Sequence, residues 1–383
     1  MLYKDWQRLR RILAIRLDGV SGVVMLGPAL RALKEALPRA EVTLLSSPEG
    51  SQAVPLLPWV DDLLVHRAVW QDVSPDKAID VGAQVDLIEL IENRRFDAAL
   101  VFTGFPRSPY PAAYVCYLAG VKVRVGQSKE TGGGLLTQRV RPLHDSVHQV
   151  DRNLYLLEAS GLPVAGRQLE LRVPGPARTS AASLLGRRHL PEGEPFVVLA
   201  PGGGTGSQRD AARRDVVRRD AEVCTLLAAR TQLPVVLVGA PREVALAEGI
   251  VDRTPDAPVV SIVGQTSVPE LAAVIERAAL VLCNHAGPVQ IADALRRPLV
   301  VLSAGTEPEA RWRPRGAPAR LLRKPPRCAP CHVATCTVGQ TCLAIPPAAV
   351  VDEALKLLEA PDQGGAPAGG MLAPAAADPR PSA

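Results

Sequence analysis

Aromatic residues are scarce: four Phe, four Trp and five Tyr make up 3% of 383 residues. A core therefore has to be built from Leu, Val, Ile and Ala. Long apolar runs are missing too, and no window approaches the roughly 18–20 apolar residues that a transmembrane helix needs. The opening Met1-Leu-Tyr-Lys-Asp-Trp-Gln-Arg-Leu-Arg10 holds no signal-peptide core, and the apolar run after it is interrupted by Arg16 and Asp18. The expectation is a cytoplasmic protein. No dense block of one charge stands out either. Forty-four Lys and Arg against 39 Asp and Glu leave a formal +5, spread largely over scattered Arg. That suits anionic ligands or an anionic membrane surface better than nucleic acid, which asks for a denser patch. Seven Cys in a cytoplasmic chain argue for thiols or metal ligands, not a disulfide framework.

What is present is an alternation of short apolar strands with helical periodicity. Arg11–Leu17 reads as a first strand, followed by a turn over Asp18–Gly22. Val23, Leu26, Leu30, Leu33 and Leu37 mark one face of a helix over Val23–Leu37, with Pro28 in its second turn. Strands follow at Glu41–Leu45 and Trp59–Val65, then a helix at Asp86–Asn93 and a strand at Phe96–Phe102. A helix over Pro111–Leu118 and a strand over Val121–Val125 continue the pattern. His148–Leu162 reads as a helix with Gly161 past its C-terminal end. Pro174-Gly-Pro176 looks like a linker, after which the plan repeats. Helices are expected at Ala177–His189, Ala221–Thr231, Pro241–Val251 and Val268–Ala278. The intervening strands are Phe196–Ala200, Pro234–Val238 and Val259–Ile262. Such alternation predicts α/β architecture with parallel sheets covered on both faces. The expected organisation is one domain over 1–173, a second over 174–358, and a disordered Pro/Gly/Ala tail over 359–383.

Val281–Leu302 concentrates the chemistry. It reads strand (Ala279–Cys283), tight turn (Asn284-His285-Ala286-Gly287), Pro288 at a first helical turn, a short helix over Gln290–Leu295, and a strand over Leu299–Leu302. Such a unit aims backbone N–H groups and a helix N-terminus past the strand's end, which favours an anion such as a pyrophosphate. An ordinary strand–helix connection is the alternative. The run Pro201-Gly202-Gly203-Gly204-Thr205-Gly206-Ser207 also follows a strand. It is neither GxGxxG nor a P-loop, since no Lys follows at the required spacing. Its glycines would let the backbone approach a phosphate closely.

Several segments together resemble glycosyltransferase family 9, the ADP-heptose:lipopolysaccharide heptosyltransferase family. They are Arg11–Asp18, Val23–Pro38, Gly120–Gly126, His148-Gln-Val-Asp-Arg-Asn153, Gly264–Leu271, Asn284–Pro288, Thr306–Trp312 and Cys328–Cys342. The resemblance spans about residues 10–357. It implies a GT-B architecture, two Rossmann-like domains facing across a cleft, with the acceptor on the N-terminal domain and the sugar nucleotide on the C-terminal one. The implied reaction is an inverting, metal-independent glycosyl transfer. No cofactor is required and an ADP-sugar is the substrate. An acceptor hydroxyl attacks the anomeric carbon and ADP leaves. Implied donor-side candidates are Gly202, Gly203, Gly204, Thr205, Gly206, Arg209, Gly239, Gly264, Thr266, Asn284, His285, Ala286, Gly287 and Pro288.

The chain departs from the family pattern at telling places. Where the family carries Gly-Asp, with that Asp as proposed base, this sequence has Ser21-Gly22. Asp18, four residues earlier, is the remaining base candidate; a turn former or helix cap is the alternative. The usual Asn-Asp-Ser/Thr-Gly-Pro turn becomes Asn284-His285-Ala286-Gly287-Pro288. Arg209 is the nearest match to the usual basic residue after the donor domain's first strand, or else a surface Arg. Two readings follow: an active heptosyltransferase with a rearranged base, or a weakened member that binds a sugar nucleotide or scaffolds a partner. Cys328, Cys331, Cys336 and Cys342 could hold a structural metal or remain free thiols. Cys116, Cys224 and Cys283 read as core residues. Arg311 and Trp312 either line the cleft or pack between domains. A glycan or lipid-linked acceptor would permit peripheral attachment at the inner face of the cytoplasmic membrane.

Overall fold

The computed structural model describes residues 5–71, 80–202, 210–284, 287–324, 326–331, 336 and 341–359, without the side chains of 210–214. Its strands form two six-stranded sheets. The first holds β1 (Arg11–Arg16), β2 (Glu41–Ser46), β3 (Asp62–Val65), β4 (Ala98–Val101), β5 (Val123–Gln127) and β6 (Gln138–Val140). The second holds β7 (Val197–Ala200), β8 (Val235–Leu237), β9 (Val259–Ser261), β10 (Leu280–Asn284), β11 (Leu299–Leu302) and β12 (Ala319–Leu322). Their orders are β3-β2-β1-β4-β5-β6 and β12-β11-β10-β7-β8-β9. Every neighbouring pair is parallel. Counted from its own first strand, each sheet has the Rossmann order. Each therefore has a crevice where the order reverses, between β1 and β4 and between β7 and β10.

The helices are α1 (Val20–Val24), α2 (Gly27–Ala36), α3 (Pro48–Ser51), α4 (Val81–Arg94), α5 (Tyr110–Leu118), α6 (Gln149–Glu158), α7 (Gly175–Gly186), α8 (Asp210–Thr231), α9 (Val244–Val251), α10 (Val268–Arg277), α11 (Gly287–Ala294) and α12 (Pro347–Glu359). Side chains alternate across a strand, so a sheet covered on both sides needs apolar residues at successive positions. β1 shows this: Leu13 and Ile15 meet Leu87 and Ile91 of α4 and Cys116 of α5, whereas Ile12 and Ala14 join Leu30 of α2 and Leu154 of α6. In the second sheet, Val197 and Leu199 join Val223 and Leu227 of α8, and Val198 and Ala200 face the opposite cluster. That last cluster runs unbroken from the first sheet into the second, so the two halves share one apolar core.

The expected helix over Val23–Leu37 is two helices. Pro28 lies in the first turn of α2, where its missing N–H and its ring cost nothing, and a continuous helix would have placed it where both do damage. α8 begins well before the expected Ala221, because the polar, Arg-rich stretch ahead of it carries no apolar stripe to read. β6, β12 and α12 were not expected; the strands are three and four residues long, and α12 buries Val350, Val351, Ala354 and Leu357. Gly161 takes the left-handed conformation (φ +86°), with its N–H on the Glu158 carbonyl at 3.0 Å, as a helix terminator does. The Pro/Gly/Ala tail lies outside the described residues.

Candidate active site

On the first sheet the crevice is built from charged side chains. Arg16 ends β1 almost fully buried, and its Nε pairs with Asp18 Oδ2 at 2.6 Å. Arg107, from the loop after β4, approaches Asp18 Oδ1 at 3.5 Å. Burial pushes the Arg16 guanidinium down from its usual value, with Asp18 acting in the opposite sense. The Asp18 side chain keeps 21% of its surface exposed. It lies in a slot between two glycines. A Cβ at Gly22 would come within 2.6 Å of Asp18 Cβ, and one at Gly104 within 3.4 Å of Asp18 Oδ2. The carboxylate missing at position 22 is thus matched by one at position 18 that fills the adjoining space. Asp18 caps no helix, since α1 opens on Gly19 without a side-chain cap. Its backbone is clamped instead: Ser47 Oγ donates to the Asp18 carbonyl at 3.0 Å and itself caps α3.

α6 ties this loop to its surroundings. Asn153 Oδ1 accepts from Gln149 Nε2 at 2.8 Å and from Arg16 Nη1 at 3.4 Å, and Asn153 Nδ2 donates to the Met25 carbonyl at 2.9 Å. Arg152 is buried with Asp145 at 3.9 Å as its ion-pair partner. His148 caps α6 by accepting from Val150 N–H at its Nδ1. That leaves the proton on Nε2, which donates to the Arg313 carbonyl at 3.1 Å. Burial first, then the Arg315 charge, push its pKa down to about 4.

The contact with Arg313 crosses between the halves, as do two others. Arg315 pairs with Asp151 at 3.1 Å, and Arg311 donates to the Asp145 carbonyl while its guanidinium lies 3.9 Å above the Phe105 ring centroid. Arg311 therefore bridges the halves at the cleft, whereas Trp312, 2% exposed, belongs to the shared core.

On the second sheet the crevice is built from backbone. Asn284 ends β10 buried, and its Nδ2 donates to the carbonyls of Pro201 at 2.9 Å and Gly202 at 3.4 Å. The turns after β7 and β10 are thereby held together. Gly287 and Pro288 open α11. A Cβ at Gly287 would stand 3.2 Å from Val20 Cγ1, so α11 meets α1, the helix following Asp18, across the cleft. Gly264 has φ +75° and donates to the Gly239 carbonyl at 2.9 Å. Thr266 is half-buried in the turn that leads into α10. Gly203, Gly204, Thr205, Gly206, Arg209, His285 and Ala286 lie outside the described residues.

One side chain here escaped the sequence reading. Glu243 accepts from Ala240 N–H at 2.7 Å, and its carboxylate lies against both crevice glycines. A Cβ at Gly202 would sit 1.6 Å from Glu243 Oε1, and one at Gly239 2.7 Å from Oε2. The signal was the run Gly239-Ala-Pro-Arg-Glu243 directly after a strand.

Among the described residues, no group of three or more His, Cys, Asp or Glu is gathered as a metal site. Cys328 is exposed, and Cys331, Cys336 and Cys342 are half-buried. Cys331 N–H bonds the Gly305 carbonyl at 3.0 Å, and a Cβ at Gly305 would lie 3.7 Å from Cys342 Cβ. Cys116, Cys224 and Cys283 are core residues, as expected; burial raises the Cys116 and Cys283 thiols to about 12.

Two Rossmann-order sheets with opposed crevices define the GT-B architecture. The family model for glycosyltransferase family 9 (heptosyltransferase) matches residues 85–341. The chain belongs to that family. Among solved structures it is similar to a family 9 glycosyltransferase from Veillonella parvula, at 18% identity, TM-score 0.72, covering 91% of this chain and 97% of that one. It is also similar to Escherichia coli ADP-heptose lipopolysaccharide heptosyltransferase II, at 21% identity, TM-score 0.70, covering 91% and 98%. A third is Escherichia coli heptosyltransferase WaaC with ADP, at 16% identity, TM-score 0.62, covering 91% and 99%. A comparison with curated protein sequences gives no match.

Proposed function

We propose that this chain transfers a heptose or related sugar from a nucleotide-sugar donor such as ADP-heptose to a lipopolysaccharide or other glycan acceptor. The transfer inverts the anomeric centre and needs no metal. The observation that carries this reading is the contact of α1 with α11, which brings the helix after Asp18 against Gly287 at the start of α11. The diphosphate lies on backbone amides of that turn and of the glycine run after β7, where a helix N-terminus and dipoles favour negative charge. Glu243, in the turn that follows the second strand of its sheet, accepts hydrogen bonds from the ribose hydroxyls, the role an acidic residue takes near there in dinucleotide folds. Asp18 removes the proton from the acceptor hydroxyl as it attacks, and ADP departs toward the second sheet. The acceptor enters over the first sheet, and a lipid-linked acceptor would bring the protein to the inner face of the cytoplasmic membrane. No helix among the described residues is long and apolar enough to cross a membrane.

A second reading rests on the same carboxylate. The Asp18 oxygens are already held by two guanidiniums, Arg16 at 2.6 Å and Arg107 at 3.5 Å, so an acceptor hydroxyl has to compete for them. In that reading the chain binds a sugar nucleotide without turning it over, as a binding or scaffolding protein. Incubation with ADP-heptose and candidate acceptors, monitored for released ADP, separates the two. Acceptor-dependent release supports the enzyme. ADP binding without release under any acceptor supports the binding protein.

A further inference from the structure

Behind the donor-side turn lies a polar group that the mechanism above leaves unused. Arg219 and Asp220, in the middle of α8, are 8% and 3% exposed, and Arg219 Nε donates to Asp220 Oδ1 at 2.8 Å. Arg219 Nη1 reaches the Leu343 carbonyl at 3.3 Å. Its Nη2 is buried with no acceptor among the described residues. Asn284 presents the complement: Nδ2 is engaged on Pro201 and Gly202, while Oδ1 is buried with no donor among the described residues. Arg219, Asp220 and Asn284 line one small cavity of about 10 Å³. Leu199, Leu282 and Val300 form apolar parts of its wall. That volume is close to the least that admits one water, and a buried water needs two to four polar partners.

We propose that one buried water bridges Arg219 Nη2 and Asn284 Oδ1, making Arg219 and Asp220 positioning residues for the donor site. The water accepts from the guanidinium and donates one hydrogen to the Asn284 oxygen. Its second hydrogen is available to the Asp220 carboxylate, which completes the usual three bonds. The bridge fixes the Asn284 amide. If the amide turned over, Oδ1 would face the Pro201 and Gly202 carbonyls and Nδ2 would face the water held by Arg219. The loops after β7 and β10 therefore stay in register. The planar fork explains why this position carries Arg: one side chain serves Asp220, Leu343 and the water at once, which a lysine cannot do. The proposal rests on the donor reading above only for the purpose it gives the fixed turn.

The test combines a crystal structure that orders internal waters with calorimetric titration of ADP into three proteins: wild type, Arg219→Lys, and Arg219→Met paired with Asp220→Leu. The paired variant replaces the buried ion pair with apolar groups of similar size, a change that commonly leaves folding intact. The expected result is an ordered water bonded to both atoms in the wild type. Both variants should then bind ADP about 10-fold more weakly, with the paired variant keeping the wild-type Tm. Well-ordered density without that water overturns the bridge. A paired variant with wild-type Tm and wild-type ADP affinity overturns the positioning role. If the wild type takes up no ADP, the donor reading fails, and the density still decides the bridge.

Discussion

The two crevices occupy equivalent places in two sheets of the same order, yet they are made of different material. The first presents ionised side chains: Arg16, Asp18 and Arg107 hold one another at 2.6 and 3.5 Å. The second presents mostly main chain among the described residues, with Gly202, Gly239, Gly264 and Gly287 at its turns, the Asn284 carboxamide joining two loops, and one carboxylate, Glu243, against Gly202 and Gly239. A charged crevice can move a proton and sort acceptors by charge. A backbone crevice can hold a diphosphate whose charge is the same in every nucleoside-diphosphate sugar. The proposed division of labour between the halves follows from which groups each loop exposes.

The sharpest way to break this comparison is Asp18→Asn. It keeps the shape and removes the base. Acceptor-dependent ADP release should fall by about 10²–10⁴-fold, while calorimetric ADP affinity holds. An equal loss of both would erase the distinction between the crevices. Next comes Gly22→Asp, whose Cβ meets Asp18 Cβ at 2.6 Å. Overpacking of this kind should cost about 1–3 kcal/mol in denaturant melts. Adding Asp18→Gly to it empties the slot and should recover most of that loss. If Gly22→Asp alone melts like wild type, the two positions do not compete for the same space.

A smaller effect tests the seam between the halves. His148 titrates near 4 in the folded protein against 6.5 when unfolded. Between those values the unfolded chain holds the extra proton, so stability is full above about pH 6.5 and declines as pH falls toward 4. From pH 7 to pH 5 the loss should be about 2 kcal/mol at most, and His148→Gln should remove that part of the slope in urea melts. The smallest stability effect belongs to Gly202→Ala. Its methyl meets first the Glu243 carboxylate, the far end of a flexible side chain that can swing aside, so Tm should scarcely move. ADP binding should weaken by about 10-fold, because the displaced carboxylate is the ribose acceptor. A fall in Tm with unchanged affinity would instead make Glu243 a structural residue.

Much of the fold was legible in the chain. The alternation of apolar strands with helical stretches announced parallel sheets covered on both faces, and β11 fell on the expected residues. The repeat of the plan after Pro174 announced the second half. Less visible were α8's polar beginning and the short β6 and β12, whose patterns carry too few apolar residues to stand above a loop. Asn284 at the end of β10 and Gly287 at the start of α11 sit where the chain suggested, because a strand end followed by small residues is a local pattern. Glu243 was not legible, because nothing local shows that its carboxylate folds back onto Gly202, forty-one positions earlier in the chain.

The chain alone determined the alternation of elements, the parallel sheets and the family likeness, because these depend on spacing between near neighbours. Tertiary structure alone decided that Asp18 occupies the slot left by Gly22 and Gly104. It also decided that Arg311 and His148 join the halves, and that Asn284 binds two loops together. Those relations depend on which distant side chains meet in three dimensions, and that is set by packing across the shared core, where sequence separation carries no distance.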